Sequence, residues 1–186
     1  MNVVVEIEMN TKYTSNKYYP YSFTLKNKTT YLIWVTNDID PDKFVTDEKS
    51  NLIKSSSKYG INALASKQKY FLIWEEAANM NFDKFWCSLN SLREKRASTN
   101  KTCSILLNGW NFIEDLGYTL NMNQVKIILD TPILREVYKK IFYGCNIATI
   151  YHDKPYSPLW SCEELHELKE KMRSVWKLLK KYLDEN

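Results

Sequence analysis

The sequence predicts an α+β protein in which a small N-terminal antiparallel sheet packs against a mainly helical C-terminal portion. Three observations carry this expectation. Apolar residues alternate with period two before residue 35, they recur at helical spacing from about residue 80 onward, and capping residues sit where the helical patterns begin. With 186 residues, 44% of them hydrophobic, and only four Gly and five Pro, the chain is expected to form a single domain over 1–186. Its parts are a β-rich stretch (1–35), a long irregular segment (36–69) and a mainly helical remainder (70–186).

Val3, Val5, Ile7 and Met9 alternate with Val4, Glu6 and Glu8, the pattern of a strand with one buried face. Tyr21, Phe23 and Leu25 alternate again, Asn27-Lys28 offers a tight turn, and the β-branched and aromatic run Thr30 to Val35 completes a hairpin. Residues 36–69 show little periodicity, with Asp40-Pro41, a Ser55 to Ser57 run and few apolar residues beyond Phe44, Val45, Leu52 and Ile53. A loop of that length in a compact domain is expected to be functional or mobile. Tyr70 to Trp74 fits a buried strand and a helical spacing equally, with helix favoured after Trp74.

Phe82, Phe85, Trp86, Leu89 and Leu92 mark a helix that Asn81 caps. The next helix, Lys101 to Asn121, is the most apolar, with Ile105, Leu106, Trp110, Phe112, Ile113, Leu116 and Leu120 on one arc, so it is expected at the centre of the core. Its opposite stripe holds Ser104, Asn108, Asn111 and Asp115, almost without Lys or Glu, which suggests a face covered by a neighbouring loop or a partner. Thr131-Pro132 opens a third helix that ends near Gly144, with Val137, Tyr138, Ile141 and Phe142 as its apolar face and Glu136 and Lys140 as an i, i+4 pair. Two prolines keep the following stretch extended, and Ile147 to Tyr151 suits a short strand. Ser161 and Glu164 form a capping box, flanked by Trp160 and Leu165, and open a last helix through Leu168, Met172, Val175, Trp176 and Leu179.

The net charge of +4 falls short of the density expected of an obligate nucleic-acid binder. The N-terminal apolar run is too short for a signal peptide and no stretch approaches a membrane span, so the expected setting is cytoplasmic, with no membrane partner. Cys87, Cys103, Cys145 and Cys162 lack the density of a disulfide scaffold. Cys145, His152, Cys162 and His166 are possible metal ligands, and Cys162 with His152 and Asp153 can be drawn as a nucleophile system. Their spacing matches no common zinc pattern, so no metal, cofactor or catalytic residue is expected. Arg93, Lys95, Arg96 and Lys101 allow an alternative reading as a nucleic-acid-binding regulator. The segment Asp38 to Glu48 concentrates Asp38, Asp40, Asp42, Asp47 and Glu48 against Lys43 alone. An acidic loop in a basic protein is the expected contact for a cationic partner.

The stretch LLNGWNFIEDLGYTLN, the later VYKKIFYGCNIATIYHDKPYSPLW and the capped helix after it resemble immunity proteins of bacterial contact-dependent growth-inhibition and related polymorphic toxin systems. The resemblance rests on Leu106, Leu107, Asn108, Trp110, Asn111 and Asp115, then Tyr138, Lys140, Phe142, Gly144 and Asn146, then Tyr156, Pro158 and Trp160. It covers about the C-terminal half. Gly109, Cys145 and the absence of a Pro after Ile147 depart from the pattern. The resemblance implies a cytoplasmic protein, without enzymatic activity, that blocks a cognate toxin C-terminal domain, often a nuclease, by stoichiometric binding.

Overall fold

The computed structural model describes residues 16–147 and 155–184. The expected Val3 to Met9 strand lies outside them, as do His152, Asp153 and all of the Ile147 to Tyr151 run except Ile147. Strands β1 (Lys17–Leu25) and β2 (Lys28–Thr36) form the expected hairpin. The turn falls one residue earlier than the sequence suggests, on Lys26 and Asn27, with φ of 50° and 59°. Two left-handed residues match the twist of the flanking strands, and Asn tolerates that conformation. Both oxygens of Asp83 accept from this turn, at 2.9 Å from Lys26 N and 3.0 Å from Asn27 N.

Three short strands complete the sheet. β3 (Lys43–Phe44) and β4 (Lys54–Ser55) pair antiparallel with β2, while β5 (Ala78–Asn81) pairs parallel with β1. The α+β class is as expected, but the sheet is mixed rather than antiparallel, because the chain crosses over the sheet before returning as β5. That crossover corrects the expected irregular segment. Residues 36–69 hold β3, β4 and helix α1 (Lys58–Lys67), whose N-cap Ser57 accepts from Gly60 N at 3.0 Å. α1 escapes periodicity because it buries only Ile61 and Ala65.

The strand alternation explains the layers. Tyr21, Phe23, Leu32 and Phe44 face the helical portion, whereas Ile33, Val35, Val45 and Ile53 face α1. Both faces are therefore covered. The ambiguous Tyr70 to Trp74 is neither strand nor helix: Leu72 makes one parallel bridge with Tyr18, and a 3-10 turn follows at Trp74–Glu76.

Helix α2 (Phe82–Ser91) is capped by Asn81 as expected, 2.8 Å from Lys84 N. α3 (Asn100–Thr119) starts from the cap Thr99 and runs through the core, with Leu106, Phe112, Ile113 and Leu116 at most 1% exposed. The ring of Phe112 lies 5.0–5.7 Å from those of Tyr21, Phe23, Phe44 and Phe82. Gly109 lets α3 approach α2, since a Cβ there would strike the Phe85 ring. The short α4 (Asn123–Leu129) was not expected from sequence, and it begins without a side-chain cap.

α5 (Pro132–Gly144) begins at Pro132, but Thr131 makes no capping bond and its buried hydroxyl has no partner among the described residues. Gly144 is the last helical residue and has no positive φ; Asn146, at φ 50°, takes the left-handed turn. Gly144 is needed for space, because a Cβ would lie 2.5 Å from Cys103 Sγ and 3.0 Å from Pro158 Cδ. The expected Glu136 and Lys140 pair is replaced. Glu136 binds Lys139 at 2.7 Å, and Lys140 reaches Glu164 at 2.6 Å.

α6 (Cys162–Asp184) opens with the expected capping box: Glu164 N donates to Ser161 Oγ at 3.1 Å and Ser161 N to Glu164 Oε2 at 2.8 Å. The stripe expected to be covered divides. Ser104 and Asp115 are half-buried, whereas among the described residues no loop covers Asn108 or Asn111, and Asn111 accepts only from the Tyr138 hydroxyl at 3.4 Å.

Two stability effects are expected. Gly144→Ala forces a methyl against Cys103 and Pro158 and lowers the denaturant midpoint by the equivalent of about 1–3 kcal/mol. Asn111→Ala, on an exposed face with one long contact, changes stability by less than about 0.5 kcal/mol; a loss above 1 kcal/mol in the same melts would restore the covered-face reading.

Candidate functional site

The loop from β2 to β3 is shaped by Asn37, whose side-chain oxygen accepts from Ile39 N at 2.8 Å and Asp40 N at 2.6 Å. This Asx-type turn leads through Pro41 and Asp42 into β3. β3 is tied to the end of α3, because Phe44 N donates to Thr119 Oγ1 at 2.8 Å and that hydroxyl donates to Asp115 O at 2.7 Å. Asp42 is thereby held near Asp115. Between this loop, α3 and α4 lies a cleft of about 440 Å³, lined by Asp42, Glu114, Asp115, Tyr118 and Lys126, with Gly117 and Val125 among its apolar parts.

The cleft disfavours ionised carboxylates. Burial, and then the neighbouring Asp42, push the Asp115 carboxyl up to about 7, with a smaller upward push from Glu114. The Trp34 indole N–H acts in the opposite direction on Asp115, yet it meets no acceptor in hydrogen-bond geometry among the described residues. That pairing is loose, and the desolvation prevails. Glu114 keeps an exposed surface, yet the partial desolvation of its carboxyl and then Asp130 raise it as well. Among the described residues no Lys, Arg or His lies within ion-pair distance of Asp42, Glu114 or Asp115. A cation entering the cleft would supply the compensation these groups lack.

The structure divides the acidic segment that the sequence marks out. Asp42 faces the cleft, while Asp38, Asp40 and Glu48 are exposed on loops. Asp47 has a structural task, accepting from Lys49 N at 2.9 Å and Asn51 N at 2.8 Å, and these bonds hold its pKa below the usual carboxylate value. Of the five expected acids Asp42 lines the cleft, Asp38, Asp40 and Glu48 stay exposed on loops, and Asp47, also exposed, is bonded into its own turn.

Most residues of the resemblance build one junction. Asn146 Oδ1 accepts from Tyr156 N at 2.7 Å, and its Nδ2 donates to Gly144 O and Tyr156 O at 3.1 Å each. Trp160 Nε1 donates to Ser98 Oγ at 2.7 Å, Lys140 Nζ donates to Leu159 O at 3.1 Å, and Pro158 packs beside Gly144. Trp110 meets the Tyr138 ring edge at 5.3 Å. These side chains fasten α3, α5 and α6 together. Asn108 lies exposed away from the junction, and Asp115 alone of the motif lines the cleft.

Glu114 and Tyr118 escaped the sequence reading, although the adjacent acids Glu114-Asp115 in an otherwise apolar helix were a visible signal. Of the possible metal ligands, Cys145 is buried at the end of α5, bonded to Ile141 O, whereas Cys162 is exposed on α6. His166 instead neighbours Glu167 and Glu170, whose contacts are Lys171 at 3.8 Å and His166 itself at 3.2 Å. No helix among the described residues is long and apolar enough to cross a membrane. Comparison with protein-family models, curated proteins and solved structures gave no match.

The raised Asp115 carboxyl makes stability depend on pH. Its folded value, about 7, exceeds the ordinary 3.8, so the folded protein retains a proton that the unfolded chain loses. This contribution is complete at low pH, declines as pH rises from about 4 to about 7, and is flat above. Asp115→Asn removes it and is expected to stabilise the protein by about 1–3 kcal/mol at pH 8, with little gain at pH 4. Denaturant melts at the two pH values check the difference.

Proposed function

We propose that this protein is a binding protein that captures a cationic protein partner at the acidic cleft, and that the partner is a cognate toxin domain blocked by stoichiometric complex formation. The observation that carries the reading is the gathering of Asp42, Glu114 and Asp115 in a concavity without a basic ion-pair partner among the described residues. Such a site is electrostatically incomplete, so the arrival of a lysine or arginine relieves repulsion as well as adding attraction. Tyr118, 48% exposed, lines the cleft, and Ile127, 70% exposed, projects from α4, giving apolar area of the kind that anchors interfaces. A nuclease domain, which must hold phosphates, presents basic side chains of this kind. The resemblance in the C-terminal half supports the immunity assignment through the helical junction rather than through the cleft.

The experiment is to change Asp42→Asn and Glu114→Gln together and measure association with the toxin domain encoded beside this gene. Association is expected to slow by about tenfold at low salt and to lose most of its salt dependence, with the melting point unchanged or higher. Neutralising Asp38, Asp40 and Glu48 in a parallel variant should have the smaller effect. Binding that survives the cleft variant but fails when Arg93, Lys95 and Arg96 are changed would overturn the proposal in favour of an acidic partner or nucleic acid.

A further inference from the structure

A second charged cluster lies where the C-terminus of α2 meets the first half of α6. Arg93 Nη1 donates to Asn90 O at 2.6 Å and Leu92 O at 2.9 Å, Lys169 Nζ donates to Leu92 O at 3.1 Å, and Arg173 Nη2 donates to Asn90 Oδ1 at 3.2 Å. Cations are favourable at a helix C-terminus, but that end carries only about half a negative charge, against three full positive ones. Nearby acids do not make up the difference. Glu94 pairs with Lys95 at 3.6 Å and Glu167 with Lys171 at 3.8 Å, Glu170 meets His166 at 3.2 Å in a contact that is an ion pair only when the imidazole is protonated, and no carboxylate among the described residues is within ion-pair distance of Arg93, Lys169 or Arg173. The crowding is felt at Lys169, which burial, Arg93 and Arg173 hold below the ordinary lysine value. Lys169 and Arg173, one turn apart, line a concavity of about 420 Å³ with Leu165, His166 and the Glu170 carboxylate.

We propose that Lys169 and Arg173, with Arg93 beside them, bind a phosphate-type oxyanion. Three cations against the helix end and the Glu170 carboxylate leave roughly one and a half positive units, which suits an oxyanion that several donors can grip at once. An ammonium has three N–H donors and a guanidinium five, so the contacts to α2 leave donors free for a tetrahedral ligand. Those same contacts hold the side chains in place beforehand, which reduces the entropy lost on binding. The source of the group is either free phosphate or a phosphorylated nucleotide chain, and the chemistry is shared.

The test uses the full chain and inorganic phosphate, titrated at constant ionic strength against chloride while amide resonances are followed. Saturable shifts are expected around Leu92 and along residues 165–173. Arg173→Gln should weaken binding by about tenfold or more, since it removes charge-assisted hydrogen bonds. Its contact in the fold is the exposed Asn90 side chain, so the variant should stay folded. Lys177→Gln, exposed on the same helix, should leave binding unchanged. Absence of saturation, or equal shifts in wild type and Arg173→Gln, would overturn the site. A short single strand with and without a 5′-phosphate then separates the sources. Competition with phosphate that requires the terminal group supports a phosphate monoester, and competition by both strands supports the phosphodiester backbone.

Discussion

The packing of Phe112 sets the relation between sheet and helices. Its ring touches aromatic rings from β1, β3 and α2, three elements that are distant in sequence, and it is 1% exposed. Tilted and edge-on ring contacts have preferred geometries, so they fix orientation as well as burying area. With α3 seated by this contact, its two ends acquire their neighbours. The C-terminal end receives β3 through Thr119, which brings Asp42 to Asp115. The N-terminal end meets α5 and the chain before α6, where Asn100 Nδ2 donates to Cys145 O. The acidic cleft and the helical junction are thus two ends of one helix.

The sheet derives its stability from a sandwich of unequal layers. Its helical side carries the large aromatic cluster, while α1 covers the other side with Ile61 and Ala65. A strand that is apolar on both faces would ordinarily read as a continuous hydrophobic run, and β2, with Leu32, Ile33 and Val35 buried, reads that way. Asp83 adds a polar restraint by receiving both N–H groups of the hairpin turn, which joins α2 to the far end of the hairpin.

Legibility in the sequence followed the strength of local signals. The hairpin, α2, α3, α5 and the capping box of α6 were readable because periodic apolar residues mark each of them, reinforced by the caps Asn81 and Ser161 at α2 and α6 and by Pro132 at the start of α5. α1 and α4 were not, because each buries two residues and a short weakly patterned helix is selected by tertiary packing. The parallel β5 was hidden because four residues pair only through a crossover that no local pattern announces. At the site, the sequence supplied Asp42 and Asp115 separately, as a loop acid and a motif acid. Their meeting depends on the Phe44 to Thr119 hydrogen bond, a tertiary fact. Of the polar stripe the described residues cover only Ser104 and Asp115 in part, because Asn at helical spacing signals absence of charge, which does not establish burial by a loop.

The junction around Asn146 has a bearing on how a change at one helix is felt at another. Asn146, just after α5, grips the backbone of Tyr156, Ser98 N donates to Pro158 O at 3.0 Å, and Lys95 N donates to Trp160 O at 3.0 Å. The approach to α6 is therefore tied on one side to the end of α5 and on the other to the segment between α2 and α3. Groups that share one hydrogen-bond network are energetically coupled, so losses at the two anchorages do not simply add. Either anchorage alone can hold the start of α6 in place, and the loss of both releases it from α3 and α5 together.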